Sequence, residues 1–296
     1  MRFIISLLVF CITLFIYLHI FFHLKTSDDL EVFEIDQPSK DKLEEVCDLR
    51  QPVLFNYNNI HILENCKKNV IVDTYGAFDI KIRNKNNIDE NELFVPLKLC
   101  NAIKVIDEDK EKKFVIENNH EFLEETGMIR SFRYNDAFIR PYLMSNVKYD
   151  IWMGSNGAVT PFRYDMNYRN YYFVTEGSIK IKLAPPKNTK YLYQEKDYEN
   201  FEFRSPINPW NIQQEFKPDF DKVKCLEMTI TKEQILFIPA YWWYSIQFEN
   251  DSTICVFKYN TYMNNLAILP EIIKQVLQQQ NVQRKTIPTV NINKSE

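Results

Sequence analysis

From residue 148 onward the chain runs in short bursts of aromatic and β-branched residues, each closed by turn formers. They fall at 148–153, 158–164, 170–175, 178–183, 224–230, 235–238, 243–248 and 253–259. Bursts of this length suit strands rather than helices, and eight of them in close succession predict an antiparallel barrel or sandwich. The long gap from 186 to 223, with PINPW at 206–210, reads as an excursion over the barrel mouth. Upstream, Pro52–Tyr57, Val70–Asp73 and the alternating run Phe78–Ile82 are further strand candidates. Residues 84–92 form a polar loop, and 107–127 is charged and helical in part. A helix is expected between Leu266 and Gln280, beginning regularly only at Pro270. Its apolar stripe of Leu266, Leu269, Ile272, Ile273 and Val276 can pack back on the barrel or pair with a second copy of the chain.

Three ordered blocks stand out within the barrel region. The first is WMGSNG at 152–157 with TPFRYD at 160–165. The second is NYYFVTEG at 170–177 leading to APP at 184–186, and the third is ILFIPAYWWYSI at 235–246. Together with LRQPVLF at 49–55, they make the chain resemble the JmjC and cupin-like oxygenase superfamily from about Leu49 to Tyr259. The resemblance implies a mostly β fold, a double-stranded β-helix of jelly-roll type with flanking helices. It also implies an iron(II) site built from a His-x-Asp pair on one strand and a distant His on another, with open positions for 2-oxoglutarate and dioxygen.

Carried onto this sequence, the metal positions become Arg163, Asp165 and Tyr244, and only the carboxylate survives. Arg163 is a permanent cation without a lone pair to offer a metal, and a tyrosine with a pKa near 10 ligates poorly as the phenol. The family threonine that contacts 2-oxoglutarate is matched by Thr160. The lysine that grips its far carboxylate is matched by Ile179, and the asparagine of the last strand by Phe257. Lys180, one residue away, should point to the opposite face. The remaining pocket candidates are Tyr164, Asn170 and Trp243, with Trp242 as wall or core. Tyr168, Tyr171 and Tyr172 are candidates for a recognition surface near the mouth.

The histidines bear on the same point. They are His19, His23, His61 and His120, so none of the last 176 residues can supply an imidazole. No register slip brings the upstream pair onto the motif strands. Asp165, Glu176 and Glu227 make no convincing acid–base pair, with Glu227 expected to face solvent. The expected arrangement is a metal-free, degenerate pocket in which Arg163 takes the iron's electrostatic place and pairs with Asp165, with the Tyr244 hydroxyl attached. The sharper variant has Arg163 receiving a small anionic ligand at the barrel mouth.

The N-terminus carries a second signal. Residues 3–22 are almost wholly apolar, broken by Ser6, Thr13 and His19, and about 20 such residues span a hydrocarbon core. An uncleaved anchor is the preferred reading. The competitors are a signal peptide, whose apolar region is shorter and ends in small residues, and a buried core helix. Arg2 on one side, against Lys25 and two acids on the other, favours a cytosolic N-terminus and a lumenal or extracellular bulk domain. Asn250 and Asn293 would then be glycosylation candidates. The cysteines leave open one disulfide among Cys47, Cys66 and Cys100 or buried free thiols. The division is an anchor at 1–25, a stalk and lead-in helix at 26–48, the cupin-like domain at 49–262, a helix at 263–281 and a tail at 282–296.

A formal charge of −4 gives no support to a nucleic-acid footprint. Three functions remain. One is a membrane-anchored, noncatalytic binding or scaffold module that needs no cofactor. Another is an Fe(II)/2-oxoglutarate-dependent protein hydroxylase with an atypical metal shell. The last is a structural or assembly component of a virus or parasite, suggested by the abundance of Asn, Lys and Ile.

Overall fold

The computed structural model describes residues 2–84, 94–249 and 251–281. The polar-loop residues 85–92, the glycosylation candidates Asn250 and Asn293, and the tail 282–296 therefore lie outside the described residues.

An apolar helix, α1 (Arg2–Leu24), leads through an extended segment to β1 (Phe33–Ile35), then to α2 (Lys40–Cys47) and β2 (Val53–Asn56). Next come α3 (Ile60–Asn65), α4 (Lys68–Tyr75), β3 (Asp79–Asn84), β4 (Phe94–Lys98), α5 (Leu99–Glu108), β5 (Phe114–Ile116), α6 (His120–Glu125) and α7 (Ile129–Asn135). The barrel strands follow: β6 (Met144–Gly154), β7 (Phe162–Tyr164), β8 (Arg169–Glu176) and β9 (Ser178–Ala184). The excursion contains a 3-10 turn (Pro186–Tyr191), β10 (Glu195–Asp197), β11 (Glu202–Ser205) and α8 (Lys217–Phe220). The chain closes with β12 (Leu226–Thr231), β13 (Gln234–Ile238), β14 (Trp243–Phe248), β15 (Thr253–Thr261), α9 (Tyr262–Ala267) and α10 (Leu269–Asn281).

These strands form two sheets that face each other. The larger runs β1-β2-β13-β8-β15-β6-β5-β3-β4 and the smaller β10-β11-β7-β14-β9-β12. All eight expected barrel bursts contain a strand, although in 158–164 it covers only Phe162–Tyr164. The 186–223 gap is not only an excursion, because β11 pairs with β7 and extends the smaller sheet. Val70–Asp73 is a correction: it lies inside α4, which buries only Ile71. An apolar run of four residues does not separate strand from helix by period.

The alternation of the strands sorts the core into three layers. Outside the larger sheet, helices α2–α7 pack Leu43, Ile62, Leu99, Phe122 and Phe132 against Tyr149, Tyr171, Phe173, Phe237 and Phe257. Between the sheets lie Trp152, Tyr172, Val174, Ile179, Ile181, Tyr244, Ile246, Ile254 and Val256. Outside the smaller sheet, Phe162, Tyr164 and Trp243 meet Phe203, Ile207 and Phe220 of the excursion. Central strands such as β8 are buried on both faces, which is why their sequences read as nearly continuous apolar runs.

The chain breaks between α9 and α10, and Pro270 sits in the first turn of α10 as its missing N–H favours. Of the apolar stripe on this helix, Ile272 packs on the excursion layer, whereas Leu269, Ile273 and Val276 stay exposed. All six cysteines are free thiols. Burial pushes the Cys47 thiol up to about 12, so it is inert as a nucleophile.

The turn from α7 into β6 is held by one carboxylate. Asp136 is fully buried and accepts from the hydroxyls of Tyr149 and Tyr259, each at 2.7 Å, and from Arg140. Replacing it with alanine leaves two buried phenols without an acceptor, at about 1–3 kcal/mol each. Asp136→Ala is therefore expected to lower the unfolding free energy in urea by about 2–5 kcal/mol. Asp136→Asn, which retains an acceptor oxygen, should lose less.

Candidate functional site

The site lies between the sheets, at the end of the barrel where β6 and β8 begin and β15 ends. Period-two geometry makes Arg163 and Asp165 neighbours on the inward face of β7 and the turn after it. Tyr244 of β14 stands directly opposite Arg163 in the ladder. From the larger sheet, β8 presents Asn170 and Tyr172, β15 presents Lys258, and β6 presents Trp152.

The expected pairing of Arg163 with Asp165 is not what forms. The Arg163 guanidinium reaches across to Glu117, just beyond β5, in a two-pronged ion pair, and to Glu202 of β11 at 3.3 Å. Arg83 of β3 approaches the same two carboxylates from the other side, at 2.8 Å from Glu117 and 3.0 Å from Glu202. Arg163 lies 4.9 Å from the ring centroid of Trp152, a cation–π contact. Asp165 has its own cation. Lys258 Nζ is 2.7 Å from Oδ2, and the hydroxyls of Tyr244 and Tyr172 donate to the same oxygen at 2.8 and 3.0 Å. Guanidinium and carboxylate are neighbours in sequence, but each is neutralised by groups from elsewhere in the chain.

The electrostatics follow from burial and from these partners. Burial opposes ionisation of Glu117, yet Arg163 and Arg83 outweigh it and hold the carboxyl well below the usual range. Burial likewise opposes the charges on Asp165 and Lys258. Their mutual attraction prevails, keeping the carboxyl low and the ammonium high. Burial and the adjacent Asp165 push the Tyr244 phenol up, so it is a neutral donor rather than a phenolate. Two buried cations (Arg83, Arg163) and the half-buried Lys258 thus face three carboxylates (Glu117, Glu202, Asp165).

Several other candidates lie elsewhere. Phe257 points into the helix layer, and its neighbour Lys258 occupies the inward position, a one-residue offset that moves the side chain to the other face. Trp243 faces the excursion and donates to Thr189 Oγ1 at 2.9 Å. The Tyr164 ring stacks on Phe203 in the same outer layer, at 5.3 Å. Thr160 accepts from the Ile246 backbone N–H at 2.9 Å and lines a separate cavity of about 360 Å³. Ile179 is inward and wholly buried in the apolar core, so no cation stands at that place. Lys180 is on the opposite face, 3.4 Å from Glu249. Asn170 is inward and buried, donating to the Ile238 carbonyl at 3.1 Å. The three tyrosines form no common surface. Tyr171 is in the helix layer, Tyr172 is inside the barrel, and Tyr168 donates to Asp48 at 3.0 Å. Glu227 does face solvent.

A polar cleft of about 160 Å³ remains at the mouth, bordered by Lys148, Asn118, Asp150, Asn167 and Lys258. Lys148 is exposed there and donates to Asn118 Oδ1 at 2.6 Å. Asp150 accepts from Trp152 Nε1 at 2.7 Å and from the backbone N–H groups of Asn118 and Asn119 at 2.7 and 2.8 Å. Among the described residues, no cluster of three His, Cys, Asp or Glu side chains has the spacing to hold a metal ion.

Glu117 offers the sharpest test of the network. Its folded pKa is depressed below the ordinary value of 4.5, so its stabilisation is complete above that value and lost as pH falls through the folded pKa. Glu117→Gln leaves two buried guanidinium groups underpaired and should cost about 3–5 kcal/mol at neutral pH. Urea unfolding between pH 7 and pH 3 should show the wild-type stability falling on the acid side, and a flatter acid limb in the variant.

With this geometry in place, comparison with known proteins gives a consistent answer. Residues 107–264 match the cupin-like domain family, more than half of the chain. HSPB1-associated protein 1 of Mus musculus is 30% identical over 132 residues, covering 43% of this chain and 27% of that protein. JmjC domain-containing protein D of Dictyostelium discoideum is 29% identical over 102 residues, 34% of this chain and 22% of that protein. Jumonji C domain-containing protein 5 of Drosophila melanogaster is 31% identical over 101 residues, 34% of this chain and 25% of that protein. The matched segment spans about a quarter of the length of these relatives. The chain belongs to the cupin-like domain family.

Proposed function

We propose that this member of the cupin-like domain family is a membrane-anchored, noncatalytic binding module whose former metal pocket is occupied by its own ion pairs. The observation that carries the reading is the buried Arg163, fixed on Glu117 and Glu202 at the place where the family carries its first iron ligand. A divalent cation at Asp165 would sit between Arg163 and Lys258, with the carboxylate already accepting from Lys258, Tyr244 and Tyr172. The residues present therefore do not fit iron(II). They do not fit 2-oxoglutarate either, since Ile179 offers its far carboxylate no cation.

The pocket has nevertheless stayed polar instead of filling with apolar side chains, which favours binding over pure scaffolding. Lys148 at the mouth makes no ion pair among the described residues, so the cleft suits an anionic group on a small molecule or a protein.

The anchor reading has its own support. Helix α1 is 23 residues long, with no Asp, Glu, Lys or Arg after Arg2 and a mean hydropathy of 2.6 over its best window. Its last turn is part of the folded domain: His23 is buried, with Nε2 at 3.3 Å from Thr261 Oγ1. Cleavage as a signal peptide would remove a side chain on which the barrel packs. The proposed topology keeps the N-terminus cytosolic and the bulk domain lumenal or extracellular.

Purified full-length protein incubated with iron(II) or manganese(II) and 2-oxoglutarate is expected to hold far less than one metal per chain by elemental analysis and to release no succinate. One tightly held metal per chain, or steady turnover of 2-oxoglutarate, would sink the noncatalytic reading. Mass spectrometry of protein recovered from membranes should find residues 2–24 intact, whereas a mature terminus beyond Leu24 would exclude the anchor.

A further inference from the structure

The junction between α1 and the domain is not a loose tether. The Phe22 ring lies 5.1 Å from the Arg50 guanidinium, whose carbon is also 4.9 Å from the Tyr168 ring centroid. The His23 ring is 5.2 Å from that of Tyr168. Just beyond the helix, Asp28 accepts from the Lys187 backbone N–H at 2.9 Å, and its carbonyl accepts from Lys187 Nζ at 2.9 Å. Gln51 donates to Asp29 at 3.1 Å, and β1 then pairs with β2. The segment expected to act as a stalk is bound to the barrel along its length, so the orientation of α1 fixes the orientation of the domain.

That rigidity sets the depth of one face of the domain. A groove of about 660 Å³ runs between α1 and the domain. The helix lines it with Leu18, His19 and Phe22, and the domain with Tyr142, Leu143 and Tyr262, together with Glu44 and Asp48, whose carboxylates are paired with the buried Arg169. Leu18 is six residues before the end of α1, or about 9 Å along the axis at 1.5 Å per residue. The whole helix is about 35 Å long against a hydrocarbon core of about 30 Å, leaving only about 5 Å of slack. A spanning α1 therefore carries Leu18 inside the leaflet, and the domain residues that share its groove come to the same level.

The side chains at that level suit lipid. Leu143 is 82% exposed, Tyr262 67% and Tyr142 61%. Leu143 is held at φ 54°, a left-handed backbone that a leucine adopts at a cost. Tyrosines flanking an aliphatic side chain are the residues that settle at the boundary between headgroups and acyl chains.

We propose that the domain is seated in the bilayer surface, with the Tyr142–Leu143 turn and Tyr262 entering the leaflet beside α1 and lipid acyl chains filling the groove between them. This inference rests on the anchor reading, and lipid is the chosen occupant because the groove is continuous with a helix whose own surface faces lipid. The test uses full-length protein in phosphatidylcholine vesicles, with Cys11, Cys100 and Cys225 replaced by serine. A single cysteine carrying an environment-sensitive fluorophore is then placed at Leu143→Cys, Tyr262→Cys or Lys104→Cys, and a fourth protein retains Cys11. Lys104 is exposed on α5, at the far edge of the larger sheet. Labels at 143 and 262 should be quenched at least twofold by nitroxide-bearing acyl chains, while the label at 104 responds only to aqueous iodide. A label at 143 that behaves like the one at 104, or one that transfers energy to a second copy without lipid quenching, overturns the seated arrangement. Lipid quenching at Cys11 without quenching at 143 leaves the anchor standing and removes this inference alone. A Cys11 label open to iodide removes both.

Discussion

A guanidinium buried inside a barrel cannot be left alone, and that constraint organises this molecule. Arg163 is permanently charged and almost wholly removed from water, so the fold must supply carboxylates that would otherwise have no reason to be there. It does so from two remote places, Glu117 beyond β5 and Glu202 on β11. Two acids around one cation would leave excess negative charge, and Arg83 of β3 restores the balance. The edge of the larger sheet, the smaller sheet and the excursion are thereby joined through four side chains. Such a network is weak evidence for extra stability, because desolvation of the charges offsets much of their attraction. Its firmer consequence is specificity of geometry: none of the four can leave without stranding another.

Asp165 shows the same logic on a smaller scale. A buried carboxylate needs a cation, and Lys258 arrives from the neighbouring sheet to provide it. The phenols of Tyr172 and Tyr244 complete the shell as neutral donors, their rings 5.3 Å apart. Trp152 meets both cations, with its ring centroid 4.9 Å from the Arg163 guanidinium and 5.7 Å from the Lys258 ammonium. In this arrangement Arg163 and Asp165 each already have a partner of opposite sign within the chain.

The barrel was plain in the sequence because most of its strands are short aromatic and β-branched runs bounded by turn residues. The three inward positions Arg163, Asp165 and Tyr244 were also legible, because the resemblance to the cupin-like family carries its ligand pattern onto them. The partners of those residues were not. Glu117 follows the short run Phe114–Ile116 in a charged segment, where an acid reads most simply as facing solvent. Glu202 sits in an excursion with no periodic signal. Their importance comes from contacts across 46 and 39 residues of chain, and no local pattern encodes that. Lys258 is hidden for a different reason: the family match falls on Phe257, one residue away on β15, and the structure places the lysine inward instead. Charge distinguishes the two registers, because an inward lysine beside an otherwise orphaned aspartate solves a problem that a phenylalanine does not.

The pocket and the groove beside α1 share a piece of backbone. Asn167 borders the polar cleft, and Tyr168, the next residue, borders the groove against α1. Asn260 holds both, accepting from Asn167 Nδ2 and from the Tyr168 N–H at 3.3 Å each. The cleft therefore opens at the end of the barrel that α1 holds, and on the anchored reading its mouth lies close to the membrane surface. That position narrows what could engage Lys148. A partner confined to the surface, such as an acidic juxtamembrane segment or a lipid-bound anion, meets the cleft at a high effective concentration, whereas a freely diffusing small molecule gains nothing from the tether. A binding module fixed rigidly to its helix gives up the reach of a flexible stalk and gains a defined height and orientation, which is useful only for a partner held at the same surface.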